Sequence, residues 1–274
     1  MPERAIGIIA GKSQFPILVA RAARARGLRV VAVAHKGETL PELEAEVDQI
    51  TWVQLGQLGK LIKAFQQAGV TQAVMAGGVT KTRMFADVRP DLKALGLLGN
   101  IRHLADDGIL RTLADYLGAQ GIAVLPSHHL LPELLAQEGL YTRRGPSAEE
   151  QADAELGWAV AGELGRLDIG QCVVTRGRAV VAVEAIEGTD ACIKRGGELA
   201  REKAVVVKRC KPRQDERFDL PSVGAGTVEV MAACQASCLV VEAGRTLFFD
   251  RERAVEIAQR AGICILGRAG EGPR

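Results

Sequence analysis

The residues with the most chemical potential lie in one run, KRCKPRQDERFDLPSVGAGT, from Lys208 to Thr227. Lys208, Arg209, Lys211, Arg213 and Arg217 stand among Asp215, Glu216 and Asp219, and Asp219 immediately precedes Leu220-Pro221. Cations at this density hold an anion such as a phosphate, and a carboxylate among them can hold a divalent metal or activate water. The competing reading is a charged surface loop braced by local ion pairs. Pro212, Pro221, Gly224 and Gly226 mark the run as a loop, entered from Val205-Val206-Val207 and left through a helix-like run, Thr227 to Cys238.

A second acid-rich turn, Glu184 to Asp190, ends in Gly188-Thr189-Asp190 where a helix begins. Thr189 or Asp190 can cap that helix, and the same helix N-terminus could receive a phosphate with the Thr189 hydroxyl donating. Glycine-bearing turns follow three strand-like runs: Gly11-Lys12-Ser13-Gln14-Phe15-Pro16, His35-Lys36-Gly37, and Gly77-Gly78-Val79-Thr80-Lys81. The last is the best phosphate candidate, because Gly77 and Gly78 allow close backbone approach and Lys81 follows them. Asp106-Asp107 reads as helix capping. His35, His103 and the pair His128-His129 have no partners at catalytic or metal-binding spacing.

These residues must be positioned by two kinds of element. The first half alternates strand and helix: Arg4 to Ala10, Gln14 to Arg26, Arg29 to Ala34, Leu58 to Ala68, Gln72 to Ala76, His103 to Gln120, and Ile122 to Leu125. That alternation predicts an α/β, Rossmann-like parallel sheet, whose ligands bind at the carboxyl ends of the strands. The segment Gly139 to Pro146 reads as a linker, which divides the chain into residues 1–140 and 141–274. The second half predicts a smaller α+β domain. Its helix from Ala148 to Leu164 is capped by Ser147 and Glu150 and carries Ala152, Leu156, Ala159, Val160 and Leu164 as packing positions. A hairpin follows over Gln171 to Ala185 with its turn at Arg176-Gly177, then a helix (Ala191 to Lys203) and a strand (Ala204 to Lys208). Beyond the charged loop and the Thr227 to Cys238 helix come a hairpin from Leu239 to Phe249, a helix from Arg251 to Ala261 and a strand from Ile263 to Leu266.

Bulk composition narrows the classes. The 274 residues are 47% hydrophobic and 25% charged, ordinary for a soluble globular protein of two domains. A net charge of +2 with 4% aromatic residues gives no nucleic-acid footprint and no base-stacking surface. The six cysteines (Cys172, Cys192, Cys210, Cys234, Cys238 and Cys264) contain no CxxC pair and sit mostly in apolar runs. Cys234 and Cys238 would share a helix face, without the second ligand pair that zinc requires. The expected compartment is therefore reducing and cytoplasmic. No run reaches membrane-spanning length, and MPERAIGIIAG is too short and too soon charged for a signal peptide. An NAD-binding domain is disfavoured because G-x-G-x-x-G is missing after the first strand and no acid ends the second.

Six pieces of the chain together carry a family resemblance: IIAGKSQFP (8–16), MAGGVTK (75–81), DDGILR (106–111), DIGQ (168–171), VEAIEGTDACIKRG (183–196) and KPRQDERFDLPSVGAGTV (211–228). Over essentially its full length the sequence resembles the metal-dependent UDP-2,3-diacylglucosamine pyrophosphatase family of lipid A biosynthesis, and the last two pieces are the most specific. The family usually has glycine where Ser13 stands. The resemblance implies a two-domain enzyme that hydrolyses the substrate's pyrophosphate to UMP and 2,3-diacylglucosamine 1-phosphate, with magnesium as the metal and manganese as the alternative. It puts the key acid at Asp219, as metal ligand or water-activating base. Lys81, Lys208, Lys211 and Arg217 are then the candidate phosphate contacts. Thr189, Asp190, Gln214 and Asp215, with the Gly11, Gly77 and Gly78 turns, would line the same site. The implied partner is a lipid-linked nucleotide sugar, met at the cytoplasmic face of the inner membrane, and a homodimer is compatible with the reading. The alternative is a non-catalytic nucleotide-sugar binding or regulatory protein of the same fold.

Overall fold

Apolar runs without polar alternation make strands that are buried on both faces. The computed structural model describes residues 4–79, 91, 94, 106–212 and 214–270, apart from the side chains at 106 and 107, and its first elements are of that kind. They are β1 (Ala5–Ala10) and β2 (Arg29–His35), each buried through its middle. The chain forms two compact units, one of Met1–Pro132 with Asp215–Asp219, the other of Glu133–Gln214 with Leu220–Arg274.

In the first unit α1 (Phe15–Ala25) joins β1 to β2. Then come β3 (Gln49–Val53), α2 (Leu58–Gln67), β4 (Gln72–Ala76), α3 (Asp106–Ala119) and β5 (Ala123–Leu125). The sheet order is β3-β2-β1-β4-β5 and every pair is parallel. This is the Rossmann-like sheet that the alternation predicts, with one strand more. β3 escapes a reading based on apolar runs because it is a half-exposed edge strand, Gln-Ile-Thr-Trp-Val. Phe65, Leu117 and Ile122 are fully buried in the core on one side of this sheet. His103 lies outside the described residues.

The second unit comprises β6 (Gly139–Leu140), α4 (Ala148–Arg166), β7 (Cys172–Arg176), β8 (Ala179–Val183), α5 (Thr189–Ala200), β9 (Val205–Lys208), β10 (Ser222–Val223), α6 (Ala225–Ala233), β11 (Cys238–Ala243), β12 (Leu247–Phe248), α7 (Arg251–Ala261) and β13 (Cys264–Ala269). Its six-stranded sheet runs β6-β13-β11-β9-β7-β8, parallel across β13, β11 and β9 and antiparallel towards both edges. The β7–β8 hairpin turns at Gly177 and Arg178, both with positive φ, and the Asp153 carboxylate accepts from both turn N–H groups.

Three local expectations are corrected. No hairpin spans Leu239 to Phe249. β11 is a central strand between β9 and β13, while β12 pairs in parallel with β10 in a separate two-stranded sheet. The run Cys-Leu-Val-Val-Glu is buried throughout, as a central strand must be, and Gly244 leads the chain off the sheet. The helix expected from Thr227 to Cys238 is α6, which ends at Ala233, so Cys234 and Cys238 share no helix face. The packing stripe of α4 is only partly the one that large residues suggest: Val160 and Leu164 do pack against the core. Its buried positions are Glu150, Asp153, Ala154, Gly157, Trp158, Ala161 and Gly165, and Ala159 is exposed. Small residues set this face because β9 lies close: a Cβ on Gly157 would press on the Val207 side chain at 2.6 Å.

The N-terminus of α4 has the expected capping box between Ser147 and Glu150. Arg144 adds a bidentate pair, 2.8 Å to each Glu150 carboxylate oxygen. Burial works to raise the Glu150 carboxyl, but hydrogen bonds from Arg144 and the Ser147 N–H carry it down to about 2. Because this folded-state value lies below the unfolded one, the stability from Glu150 is present above pH 4.5 and lost as pH falls towards 2. Arg144→Met would strip the countercharge from Glu150, which keeps the Ser147 N–H. Because Arg144 is 38% exposed, the expected cost is about 1.5 kcal/mol at pH 7, shrinking in acid, read from urea unfolding at a series of pH values.

Candidate functional site

The carboxyl ends of parallel strands gather the polar residues of both units, as they do in open α/β sheets. In the first unit the turns after β1 and β4 clasp each other. The Gly11 N–H donates to the Ala76 carbonyl and the Lys12 N–H to the Gly78 carbonyl, each at 2.8 Å. A Cβ on Gly11 would run into the Gly78 carbonyl oxygen, and one on Gly77, at φ +80°, into the Lys12 carbonyl oxygen. Backbone contact is therefore the first reason for both glycines. Ser13 holds φ +83° in the same turn, where a glycine would be relaxed.

His35 ends β2 beside this clasp. Its Nδ1 lies 2.9 Å from the Ala10 carbonyl oxygen, so Nδ1 carries the proton, and burial pushes the imidazole down. Thr39 donates to the same oxygen at 2.6 Å. Lys81 lies outside the described residues.

The charged loop is divided between the units. Asp215–Asp219 belongs to the first and forms a single helical turn, with the Asp219 N–H donating to the Asp215 carbonyl at 3.1 Å. Arg217 is its hub. Nε and Nη2 grip the Asp215 carboxylate at 3.0 and 2.8 Å, and Nη1 reaches Asp115 on α3 at 3.1 Å. Arg111, one helical turn before Asp115, approaches Asp215 at 3.6 Å. The Arg217 guanidinium holds the Asp215 carboxyl below its usual range, against burial, and Arg111 adds to the effect. Phe218 packs on the same core as Leu110, Leu113 and Tyr116, and the Ser127 N–H donates to the Glu216 carbonyl at 3.1 Å. Next to Ser127, burial pushes the His128 imidazole down and leaves its Nδ1 without a protein partner. Asp219 stands half-buried at the end of this braced turn.

The other half of the loop stays with the second unit. Lys208, buried at the end of β9, donates to the Ser222 carbonyl at 2.7 Å. Lys211 pairs with Asp168 at 2.7 Å. Gln214 is buried, its Oε1 accepting from the Lys211 N–H at 3.0 Å. Glu242, buried at the end of β11, accepts from the Cys210 N–H at 2.8 Å and fixes the loop's departure. Arg213 lies outside the described residues. Thr189 is the first residue of α5 rather than its cap. Gly188 takes that place at φ +86°, while the Thr189 hydroxyl donates to Glu184 at 2.9 Å. Asp190 is exposed in the first turn.

Sequence reasoning thus named the polar groups but missed their supports. Arg111 and Asp115, four apart on α3, show as an i,i+4 charge pair facing one way. Glu184, which opens the acid-rich turn, is visible in sequence as an acid directly after the apolar run of β8, but its bond to Thr189 is not.

Family models then match both halves of the chain: the LpxI N-terminal domain over residues 5–134 and the LpxI C-terminal domain over residues 137–266. The chain belongs to the LpxI family. A curated relative from Caulobacter vibrioides, "UDP-2,3-diacylglucosamine pyrophosphatase LpxI", is 32% identical over 275 residues, covering 96% of this chain and 97% of the relative. Among solved structures, a pyruvate carboxylase from Rhizobium etli matches at 15% identity over 57% of this chain and 13% of that one, with TM-score 0.29. A urea amidolyase from K. lactis matches at 12% identity over 62% of this chain and 8% of that one, with TM-score 0.30. At those scores neither likeness carries an argument.

Among the described residues no three His, Cys, Asp or Glu side chains form a metal cage. Magnesium asks for less, since one or two carboxylates beside substrate phosphate oxygens suffice, and Asp219 is a half-buried carboxylate. Among the described residues, no helix is long and apolar enough to cross a membrane. The clasp of the first unit gives a direct expectation. Gly77→Ala combines a positive φ with a backbone collision and should lower stability by about 2 kcal/mol or more, read as a shifted urea midpoint.

Proposed function

We propose that the chain hydrolyses UDP-2,3-diacylglucosamine to UMP and 2,3-diacylglucosamine 1-phosphate. The observation that carries this reading is the match to both LpxI domain models, together with a near full-length relative bearing that activity in its name. Water adds through its oxygen to one phosphorus, the anhydride P–O bond breaks, and the released proton is shared with the product phosphates. The reaction needs positioning and neutralisation of charge on the phosphate oxygens more than covalent help from the protein.

Asp219 is the residue we assign to this step. It would hold magnesium, with manganese as a substitute, jointly with the substrate's phosphate oxygens, or orient the attacking water. A bound magnesium would neutralise oxygen charge there as the bond breaks. Arg217, engaged by Asp215 and Asp115, acts by keeping the Asp219 turn in place. The lipid-linked substrate would bring the protein to a membrane surface as a peripheral visitor.

The deciding assay measures UMP release from UDP-2,3-diacylglucosamine by wild type, with and without chelator, and by Asp219→Ala. Wild type should be active, chelator should abolish the activity, and the variant should lose about 10²-fold or more. No release by folded wild type would favour a non-catalytic nucleotide-sugar binding protein. Arg217→Met should lower kcat by up to about a hundredfold through misplacement of Asp219, with a smaller change in KM. An unchanged kcat would remove Arg217 from the positioning scheme.

A further inference from the structure

Two of the six cysteines meet in the core of the second unit. Cys238 and Cys264 begin β11 and β13, stand opposite each other in the parallel register, and bring their Sγ atoms to 3.4 Å. Residues in register on neighbouring strands have Cα atoms about 4.8 Å apart and side chains on one face, within the span of roughly 4.4–6.8 Å that a disulfide bridges. Both thiols are buried in the same core as Ala154, Trp158 and Ala161 of α4.

Burial alone would make them inert, and two features of their surroundings count against that. The first is a cation. Arg144 spans the entries to both strands, donating through Nη2 to the Ser237 carbonyl at 2.5 Å and through Nε to the Gly262 carbonyl at 2.7 Å. The hydrogen bond from Cys238 holds the Cys264 thiol down, against burial, and Arg144 adds to the effect. The same hydrogen bond, with burial, pushes Cys238 up. Cys264 is thus the sulfur that carries charge and Cys238 the one that keeps its hydrogen. The second feature is a path. A cavity of about 880 Å³ is lined by Arg144, Glu150, Ser237 and Gly262, and the last two stand one residue before Cys238 and two before Cys264. Exposure alone would favour Cys234, the one cysteine that is not buried, but its thiol is pushed up by its partial burial, with Glu198 adding. Cys172 is pushed up by its neighbour Cys192 and by burial, with Glu184 adding.

We propose that Cys238 and Cys264 form a peroxide-responsive pair that closes to a disulfide. The Cys264 sulfur attacks one oxygen of a hydroperoxide, the O–O bond breaks, and the departing hydroxide or alkoxide takes up the Cys264 proton. The Cys238 sulfur then attacks the sulfenic acid so formed. The S–S bond forms, the S–O bond breaks, and the oxygen leaves as water with the Cys238 hydrogen. The two thiols lose two electrons and the peroxide gains them. The pair is independent of the hydrolase reading.

The test treats the folded full chain with equimolar hydrogen peroxide, then counts free thiols after denaturation and maps the linked peptides. Wild type should lose two of its six thiols, with Cys238 joined to Cys264, and dithiothreitol should restore them. These two should react about tenfold faster than Cys234. Cys172→Ala should keep the link. Cys238→Ala should form none and gain oxygen on Cys264, and an unmodified Cys264 there would overturn its role as the attacking sulfur. The wild-type peptide map decides even where a variant fails to fold. Six thiols remaining, a link between Cys172 and Cys192 instead, or earlier loss of Cys234 would each overturn the proposal.

Discussion

Everything proposed for Asp219 depends on five residues that leave one folding unit to complete another. Asp215–Asp219 is too short to hold a shape by itself, so its conformation must be imposed from outside. Two forces are available. The exposed part of the ion-pair network, Arg217 to Asp115, contributes at most about 1 kcal/mol, because Asp115 is well solvated. Burial of Phe218 against the α3 side of the core is the larger source, up to about 2 kcal/mol even for a half-buried ring. The ring anchors the turn, and Arg217 orients it through a bidentate grip on Asp215 that a lysine could not reproduce.

The same economy of means shapes the glycine turns of the first unit. Their small residues let the loops after β1 and β4 touch backbone to backbone, and the Ala10 carbonyl, pinned by His35 and Thr39, ties β2 into the same knot. A phosphate-binding turn and a tightly packed turn ask for the same residue type. The clasp is the demand that this structure makes visible.

In the second unit the candidate cations are all engaged by the protein itself: Lys208 by the Ser222 carbonyl, Lys211 by Asp168. Their charges brace the loop that delivers Gln214 to the point where the chain leaves for the other unit. Glu184 and Glu242, two buried acids at the carboxyl end of the sheet, anchor the turns on either side of that loop. Buried carboxylates that accept backbone or hydroxyl hydrogens are costly to disturb, so the polar edge is held in one arrangement.

Much of this was legible from residue order alone. Apolar runs and glycine stops located β1, β2, β4, α1 and α7 to within a residue, because those elements are buried or amphipathic and locally self-consistent. The capping box at Ser147 and the charged loop were equally plain, since both are patterns of neighbours in sequence. What sequence could not decide is whatever depends on residues distant along the chain. β11 and β12 went to different sheets because pairing is chosen by long-range partners, not by the turn between them. The α4 face was set by how near β9 lies, which only packing specifies. Above all, the polarity of Thr189 turned on Glu184, and the unit to which Asp219 belongs turned on Phe218 and α3. Hydrogen-bond direction and burial are properties of assembled neighbours, and no window of sequence contains them.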